Sequence, residues 1–410
     1  MTDVQASPPS TWRTPLMVIA AGCAIAMIGF GVRAVYGLFL EPMTEERLWS
    51  RETFSIALAL QNLLWGLGVP VAGMLADKYG PSQVIIAGAL AYAVGNWLMS
   101  VVEAGWLFHL TAGVLVGLGI AFTSFSLVMA AMARVVEPEK RSLVLGLGTA
   151  AGSFGQVVFS PNAHFAIEAF GWQGALLVLS MATLVIIPLA LTLPKARRGV
   201  GEVASDQGVM AALQEACTHR GYVLLTLGFF VCGFQIAFIT IHFPAYITGE
   251  GLTAGVAVNA IAIVGGCNIL GCLAAGVLGQ RWSKRCGLAG IYFLRSIIIV
   301  ALLMAPKTEF KIYAFAAAMG FLWLATVPLT TGIVAQVFGT RWMAMLFGIV
   351  FFSHQLGSFI GVWLAGRLYD STGSYDVVWW LSAALGLAAA LVHLAIDEKP
   401  LARLQASPQT

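Results

Sequence analysis

The segment Gly73-Met-Leu-Ala-Asp77-Lys78-Tyr-Gly80-Pro81 joins two long apolar runs, and Gly276-Val-Leu-Gly-Gln280-Arg281, a degenerate copy, joins two others 203 residues later. Other glycines keep nearly the same spacing. The pairs that are 202 residues apart are Gly31 and Gly233, Gly146 and Gly348, and Gly155 and Gly357. One offset held through several apolar runs indicates that the second half of the chain repeats the first.

The composition indicates a membrane protein. Hydrophobic residues make up 59% of the chain and charged residues 10%, whereas soluble proteins are about 25% charged. Twelve runs approach or exceed the length of about 20 helical residues that crosses a bilayer. The predicted spans 1 to 12 are 15–40, 53–75, 81–102, 106–134, 142–167, 172–193, 221–247, 254–279, 287–305, 311–336, 342–367 and 376–396. The expected fold is an all-α integral membrane protein.

The longest polar connection divides the spans into six and six. We expect an N-terminal six-helix bundle at 1–193, a cytoplasmic linker at 194–220, and a C-terminal bundle with a cytoplasmic tail at 221–410. Because each half holds an even number of spans, the two bundles should form a parallel repeat related by an axis along the membrane normal. The pseudo-symmetric halves then carry twelve transmembrane helices in all.

Lysine and arginine outside the spans predict the orientation. Fifteen of them fall on the side of the N-terminus and five on the other side, and cytoplasmic loops carry the excess of positive charge. Both termini should therefore be cytoplasmic in a multi-pass protein of the cell inner (plasma) membrane. Span 1 is too long for a cleavable signal and is expected to be retained. The net charge of +3 then reflects topology, and no nucleic-acid partner is expected.

Several segments resemble a known family. The segment 73–81 is similar to the loop motif of the major facilitator superfamily, and Gln280 replaces the aspartate in the second copy. Within that superfamily, the stretches 36–42, 139–146 and 361–375 resemble the monocarboxylate and oxalate/formate porter group of bacteria. The resemblance implies a transporter of the same twelve-helix fold, which works by alternating access.

The only fixed charges within the span cores are Arg33 and Arg295, and no Asp or Glu accompanies them. An ionisable group at membrane depth is a functional-site candidate. Arg33 is either a two-pronged clamp for a carboxylate or a side chain that extends to the headgroups. Tyr36 shares its helix face and offers a hydroxyl, and the repeat offset places Gln235 at the corresponding position of span 7.

His354, in span 11, lies where the monocarboxylate and oxalate/formate porter group, which this chain resembles, often carries a basic residue that faces the cavity. It could attract an anion when protonated and move a proton, or it could be a neutral histidine bonded to a carbonyl. In span 8 the acid and arginine of the family fall on Asn268 and Cys272, so the expected ion pair is absent. Asn268 keeps an amide donor. Arg295 is expected to be structural, unless its helix turns toward span 8 and replaces the missing arginine.

The remaining candidates follow from the resemblance. Gln61, Gln156 and Gln355 should orient substrate, because spans 2, 5 and 11 line the cavity in this superfamily. Asp77 should cap the cytoplasmic start of span 11 and pair with Arg134 when the carrier is open outward. These two residues are gating candidates, and they are not expected to bind substrate.

Positive charge without acid in the spans predicts a secondary transporter for a small organic anion, such as a monocarboxylate, moved by alternating access. Two alternatives are a carrier of a bulkier aromatic or amphipathic acid and a non-transporting membrane sensor on the same fold. We expect no enzyme activity, catalytic residue, cofactor or metal. The partners are the substrate, the lipid bilayer, and protons or a counter-anion, and the protein should be a monomer. Proton symport, anion exchange and facilitated diffusion stay open.

Overall fold

The chain forms a bundle of long helices. The computed structural model describes residues 14–133, 135–137, 141–193, 208–339, 342–401 and 404. Eleven helical stretches in this part are long and apolar enough to cross a membrane. One of them, Val144–Ala190, holds two crossings, because Gly171 interrupts it with a φ of 70° and a ψ of 171°. The predicted all-α membrane fold with twelve crossings is confirmed.

The described part of the first half holds nine α-helices. They are α1 Pro15–Ala34, α2 Leu40–Arg47, α3 Arg51–Tyr79, α4 Pro81–Val101, α5 Gly105–Phe108, α6 Val116–Phe122, α7 Phe125–Ala133, α8 Arg141–Leu184 and α9 Ile186–Ala190. A 3-10 turn, Tyr36–Phe39, joins α1 to α2, and a π-helical turn, His109–Leu115, joins α5 to α6. Span 1 therefore comprises α1, the turn and α2, and span 4 runs from α5 to α7.

The described part of the second half holds eight helices. They are α10 Val209–Thr218, α11 Arg220–Gly249, α12 Ala254–Arg281, α13 Lys284–Met304, α14 Glu309–Leu322, α15 Thr326–Phe338, α16 Met343–Thr372 and α17 Asp376–Leu394. Helix α10 lies within the predicted linker, and α14 with α15 forms span 10. The predicted domain boundaries at 193 and 221 stay a prediction.

The motif that joins spans 2 and 3 contains a turn that its sequence explains. Gly80 ends α3 with a φ of 100°. Glycine adopts this backbone conformation readily because it has no Cβ, and other residues rarely do. Pro81 is the first residue of α4. An N–H at this position has no partner within the helix, so proline loses no helical hydrogen bond there. The Gly-Pro pair therefore reverses the chain within one peptide.

Two spans are broken at corresponding places in the repeat. Span 4 is interrupted at Thr123 and Ser124, between α6 and α7, and span 10 at residues 323–325, between α14 and α15. Irregular backbone at membrane depth is tolerated only where it is buried in protein or lines a cavity. The two breaks therefore lie in the part of the bundle where a site is expected.

Buried apolar side chains form two clusters, one mostly from residues 18–193 and the other from 216–396. The first cluster also includes Ala237, Ile241, Ala245 and Val362 of the second half. Between the two halves, spans 2 and 11, 5 and 8, and 1 and 7 pack against one another.

Among the described residues, the halves pack tightly against each other at one end. We call this the outer end, after the predicted orientation, and it carries the connections 48–50 and 373–375. Here Gly37 packs against the backbone of span 7, and Gly366 packs against Ser55. Toward the other end, the positions that side chains would occupy at Gly73, Gly146, Gly276 and Gly348 are open. An added side chain at these four positions, in spans 2, 5, 8 and 11, would therefore meet no neighbouring atom of the described residues.

Candidate functional site

Arg33 lies beside a small cavity in the first half. The cavity encloses about 320 Å³ of space, including its mouth, and its lining residues are Ile25, Ala26, Gly29, Phe30, Arg33, Trp65, Ile120, Thr123, Ser124 and Phe125. The wall from Ile25 to Arg33 follows α1 for about 12 Å at 1.5 Å per residue. Apart from Arg33 and two hydroxyl side chains, this lining is apolar.

The guanidinium of Arg33 is held from two sides. Its Nη2 donates to Asn62 Oδ1 at 2.6 Å, and its Cζ lies 4.6 Å from the ring centroid of Trp65. No described carboxylate forms an ion pair with it. Arg33 is therefore a fixed cation whose remaining N–H groups can face a bound anion, as a carboxylate clamp requires.

The break in span 4 adds donors to the same cavity. Helix α7 begins at Phe125, and the Ser124 carbonyl accepts from the amides of Leu127 and Val128. In the part of the chain that the structure describes, the amides of Phe125 and Ser126 make no backbone hydrogen bond. Amide N–H groups at a helix start carry partial positive charge and attract anions.

Tyr36 is fully buried behind the cavity, on the continuation of span 1. Its hydroxyl donates to Asn96 Oδ1 at 2.6 Å. The structure therefore uses this hydroxyl to join span 1 to span 3. Substrate binding by Tyr36 stays a prediction, and in this conformation its hydroxyl already has an acceptor.

His354 is close to the Arg33 site but separated from it by two rings. Phe351 stacks on His354 with centroids 5.7 Å apart, and Trp65, which lies against Arg33, meets Phe351 edge-on at 5.3 Å. His354 Nδ1 lies 3.3 Å from Gln355 Oε1, whereas Gln355 Nε2 is buried without a partner. The path Arg33–Trp65–Phe351–His354 crosses from one half to the other.

A second cavity lies between the halves, with about 300 Å³ of space that includes the open space at its mouth. Its lining residues are Ala34, Gln156, Ile239, Thr240, Phe243, Ile261, Val264 and Trp323. Gln156 Oε1 is buried there without a hydrogen-bond partner. This amide is a candidate acceptor for a polar group of a ligand, and its predicted role in substrate binding stays a prediction.

Asn268 joins three helices at this seam. Its Nδ2 donates to Ser153 Oγ in the other half at 2.9 Å. Its Oδ1 accepts from the Leu324 amide at 2.9 Å, within the break of span 10, and from Cys272 Sγ at 3.3 Å. The residue that replaces the family's acid therefore ties the broken helix to the opposite half.

Gln61 lies between spans 2 and 4 and is 1% exposed. Its Nε2 donates to the carbonyl of Ala112 at 3.1 Å. This contact braces the first half, and none of the described contacts joins Gln61 to the Arg33 cavity. Its role in binding substrate stays a prediction.

Arg295 and Gln235 form a buried cluster in the second half, and Arg295 contacts the backbone of Trp323, a lining residue of the second cavity. Arg295 Nη2 donates to the carbonyls of Leu322 and Trp323 at 2.6 and 2.5 Å, and Nη1 donates to Gln235 Oε1 at 3.3 Å. Gln235 Nε2 donates to the carbonyl of Ser382 at 3.0 Å. Arg295 thus satisfies the carbonyls that the break in span 10 leaves free. Its predicted roles, structural support and substrate binding, stay predictions.

The gating pair cannot be placed by contacts. Asp77 lies in α3, but its side chain and all of Arg134 fall outside the described residues. Their gating role stays a prediction.

The comparisons with known proteins identify the family. The model of the Major Facilitator Superfamily matches residues 19–362. The chain belongs to the Major Facilitator Superfamily. Its structure resembles two crystal structures of a bacterial homolog to the human lysosomal transporter Spinster, one inward-facing and unoccupied, one inward-facing and occupied. Their TM-scores are 0.70 and 0.72 at 14% and 12% identity, with 94% of this chain and 96% of those chains covered.

Relatives by sequence are also transporters. Monocarboxylate transporter 13 of Bos taurus is 25% identical, with 96% of this chain and 91% of the relative covered. Monocarboxylate transporter 11 of Homo sapiens is 26% identical, with 97% and 85% covered. An uncharacterized transporter of the superfamily from Bacillus subtilis, YcxA, is 23% identical, with 92% of each chain covered. This major facilitator protein is therefore a transporter with monocarboxylate transporters among its relatives.

The sequence did not show two features of the site. The break at Thr123 and Ser124 lies in an unbroken apolar run, and hydropathy carries no signal for it. A network of charged and aromatic residues at the outer end was also missed, although Arg51, Glu52, Asp370 and Tyr375 are visible near the ends of spans. The available signal was the presence of these polar residues near the ends of spans in both halves, where they could pair with one another.

Proposed function

We propose that this major facilitator transporter is a secondary carrier of a small organic monoanion, and that the substrate is a monocarboxylate. The observation that carries the proposal is Arg33, a cation beside an apolar cavity with an amide as its side-chain partner. Burying such a charge is costly unless an anion or dipoles compensate it. A carboxylate from the substrate supplies that compensation and accepts two parallel hydrogen bonds from the guanidinium.

The half-helix α7 supports a single bound carboxylate. Arg33 and the start of α7 line the same cavity, so an anion there meets the guanidinium and the positive end of a helix together. The rest of the lining is apolar, apart from the two hydroxyl residues at the break. One charge with an apolar body fits this distribution better than a dicarboxylate, which would leave its second charge against hydrocarbon.

The asymmetric packing of the halves supports alternating access. The outer end is closed between the halves, and glycines of spans 2, 5, 8 and 11 face open space toward the other end. With both termini in the cytoplasm, as the charge distribution predicts, this arrangement is the inward-facing state. A substrate released from the Arg33 cavity would then leave along α1 toward the cytoplasm.

A thermal-shift screen of the detergent-purified protein tests the proposal. A ligand that binds only the folded state raises the unfolding midpoint by mass action. We expect acetate, lactate, pyruvate or a close analogue to stabilise the wild type, and Arg33→Gln to abolish the shift. Arg281→Gln, at an exposed position at the end of α12, is the matched charge-removing control and should keep it. A shift that survives in Arg33→Gln would overturn the proposal.

The ring-lined wall favours a second candidate, a carrier of an aromatic monocarboxylate. Trp65 meets Phe30 edge-on at 6.3 Å, and Phe30 meets Phe125 at 5.9 Å. Such rings could stack on an aromatic acid. A series from acetate to benzoate and phenylacetate in the same screen separates the two candidates, because the aromatic acid should then give the larger shift.

A further inference from the structure

His242 is a fully buried imidazole at the closed outer end, and the site described above does not use it. It lies on span 7, where α11 faces the start of span 2. Its Nδ1 is 3.1 Å from the Tyr375 hydroxyl, and its Nε2 is 3.0 Å from the Val362 carbonyl and 3.3 Å from Ser55 Oγ. The ring therefore contacts both halves.

The hydrogen bonds determine which nitrogen carries the proton. A carbonyl only accepts, so Nε2 must donate to Val362. Arg51 Nη1 donates to the Tyr375 oxygen at 2.7 Å, and the Tyr375 hydroxyl proton is then available to Nδ1. The chain Arg51 to Tyr375 to His242 to Val362 is satisfied throughout by a neutral imidazole.

A protonated His242 does not fit this chain. Its Nδ1–H would point at the Tyr375 oxygen, which already accepts from Arg51, and the hydroxyl proton would lose its acceptor. Two cations would then share one phenol oxygen inside the protein, and buried charges without a counter-charge are strongly unfavourable.

The surrounding charges do not compensate an imidazolium. The carboxylates nearby serve other groups: Glu41 pairs with Arg51, Asp370 accepts from the amides of residues 51 and 52, and Glu52 pairs with Arg367. Tyr369 lies under Arg51, and Tyr246 packs near Tyr375. Within the described part of the chain, no carboxylate forms an ion pair with His242.

We propose that His242 is a proton-binding site coupled to the outer closure. The outer end closes around the neutral ring. Separation of spans 2 and 7 removes Arg51 from the Tyr375 oxygen, which lies in the same half as His242 and can then accept from a protonated Nδ1. Closing the outer end releases that proton. Acid on this side therefore holds the halves apart, whatever substrate the carrier moves.

The size of the effect follows from linkage. An exposed imidazole titrates near about pH 6.5. If the open form binds one more proton than the closed form, the closed-to-open ratio falls up to about tenfold for each pH unit below that value. Above about pH 7.5 the ratio should no longer depend on pH, because both forms then carry a neutral ring.

Distance measurements across the outer end test the proposal without any substrate. Spin labels on Leu48→Cys and Ser371→Cys, two exposed positions in opposite halves, would report separation by double electron–electron resonance. Both cysteines are introduced into a variant in which every native cysteine except the buried Cys232 has been replaced. In wild type we expect one short distance at about pH 8 and a second, longer population at about pH 5.

The variants identify the residue responsible. His242→Gln should keep the short distance at both pH values, whereas His164→Gln, which removes a histidine on span 5 outside this network, should keep the wild-type response. Tyr375→Phe removes the hydroxyl that contacts His242 Nδ1 and should show a smaller pH response. A wild-type distribution that does not change with pH, or a full response in His242→Gln or Tyr375→Phe, would overturn the proposal.

Discussion

Arg33 and Arg295 show how two identical side chains at membrane depth acquire different roles. Arg33 is partly exposed to a cavity and holds one amide oxygen, whereas Arg295 is 0% exposed and donates to two main-chain carbonyls and a glutamine. The sequence predicted both as candidates and favoured a structural Arg295. It could not locate the carbonyls that Arg295 serves, because these become free only where span 10 breaks.

This difference predicts that the same substitution has a large effect on stability at one site and a small effect at the other. Arg295→Met should lower the free energy of unfolding by about 3 kcal/mol or more, because it leaves two buried carbonyls without donors. Arg33→Met should change stability little, since it removes one hydrogen bond at a cavity. Thermal unfolding midpoints of the two purified variants check this, and equal midpoints would contradict the assignment of roles.

Asn62 should act as a positioning residue for Arg33. Its Oδ1 fixes one prong of the guanidinium at 2.6 Å, so Asn62→Ala should weaken substrate affinity about tenfold, a loss of about 1.4 kcal/mol. Maximal transport should change less than affinity, because the charge itself remains. Concentration dependence of uptake measures both. Asn162→Ala, whose exposed amide bonds only its own helix, should match the wild type.

At the scale of the helices, the sequence predicted the spans well and their interruptions poorly. Hydropathy and the repeat offset located all twelve crossings, because each must be apolar over its full length. The breaks at 123–124 and 323–325 leave hydropathy unchanged, and backbone groups at the second break are bonded by side chains distant in sequence, Asn268 and Arg295. Only the packed bundle shows that these breaks meet the cavities.

The glycines of span 11 provide a test within one helix. Gly357 packs against the backbone of Phe230 in span 7, and a Cβ there would collide with the Phe230 carbonyl, whereas Gly348 faces open space. Gly357→Ala should lower the free energy of unfolding by about 1 to 3 kcal/mol through overpacking. Gly348→Ala should be neutral or stabilising by up to about 1 kcal/mol. Thermal midpoints of the two variants check the close approach of spans 7 and 11, and a tolerated Gly357→Ala would contradict it.

At the scale of the whole molecule, the described residues close the two halves against each other at one end, and glycines of spans 2, 5, 8 and 11 face open space toward the other end. Polar contacts hold the outer end: Asp370 of the second half accepts from the amides of Arg51 and Glu52, and Thr248 donates to Glu41 at 2.6 Å. Exposed charged groups contribute little individually, so the outer end is held by several contacts that break together. Such a closure can open and re-form during a transport cycle.

The orientation is still a prediction, and two exposed positions test it. Leu48 at the outer end is 92% exposed, and Trp282 at the opposite end is 71% exposed. A membrane-impermeant maleimide should label Leu48→Cys on intact cells and Trp282→Cys only after permeabilisation, in the background described above. The reverse pattern would place the termini outside and make the observed state outward-facing.

The central claim is that Arg33 binds the carboxylate of a transported monoanion. Uptake of a radiolabelled monocarboxylate, chosen by the thermal-shift screen, into proteoliposomes tests it most directly. Wild type and Arg281→Gln should accumulate the label to the same extent, and Arg33→Gln, reconstituted at equal density, should not exceed protein-free liposomes. Wild-type uptake by Arg33→Gln would show that the anion is recognised elsewhere and would contradict the account.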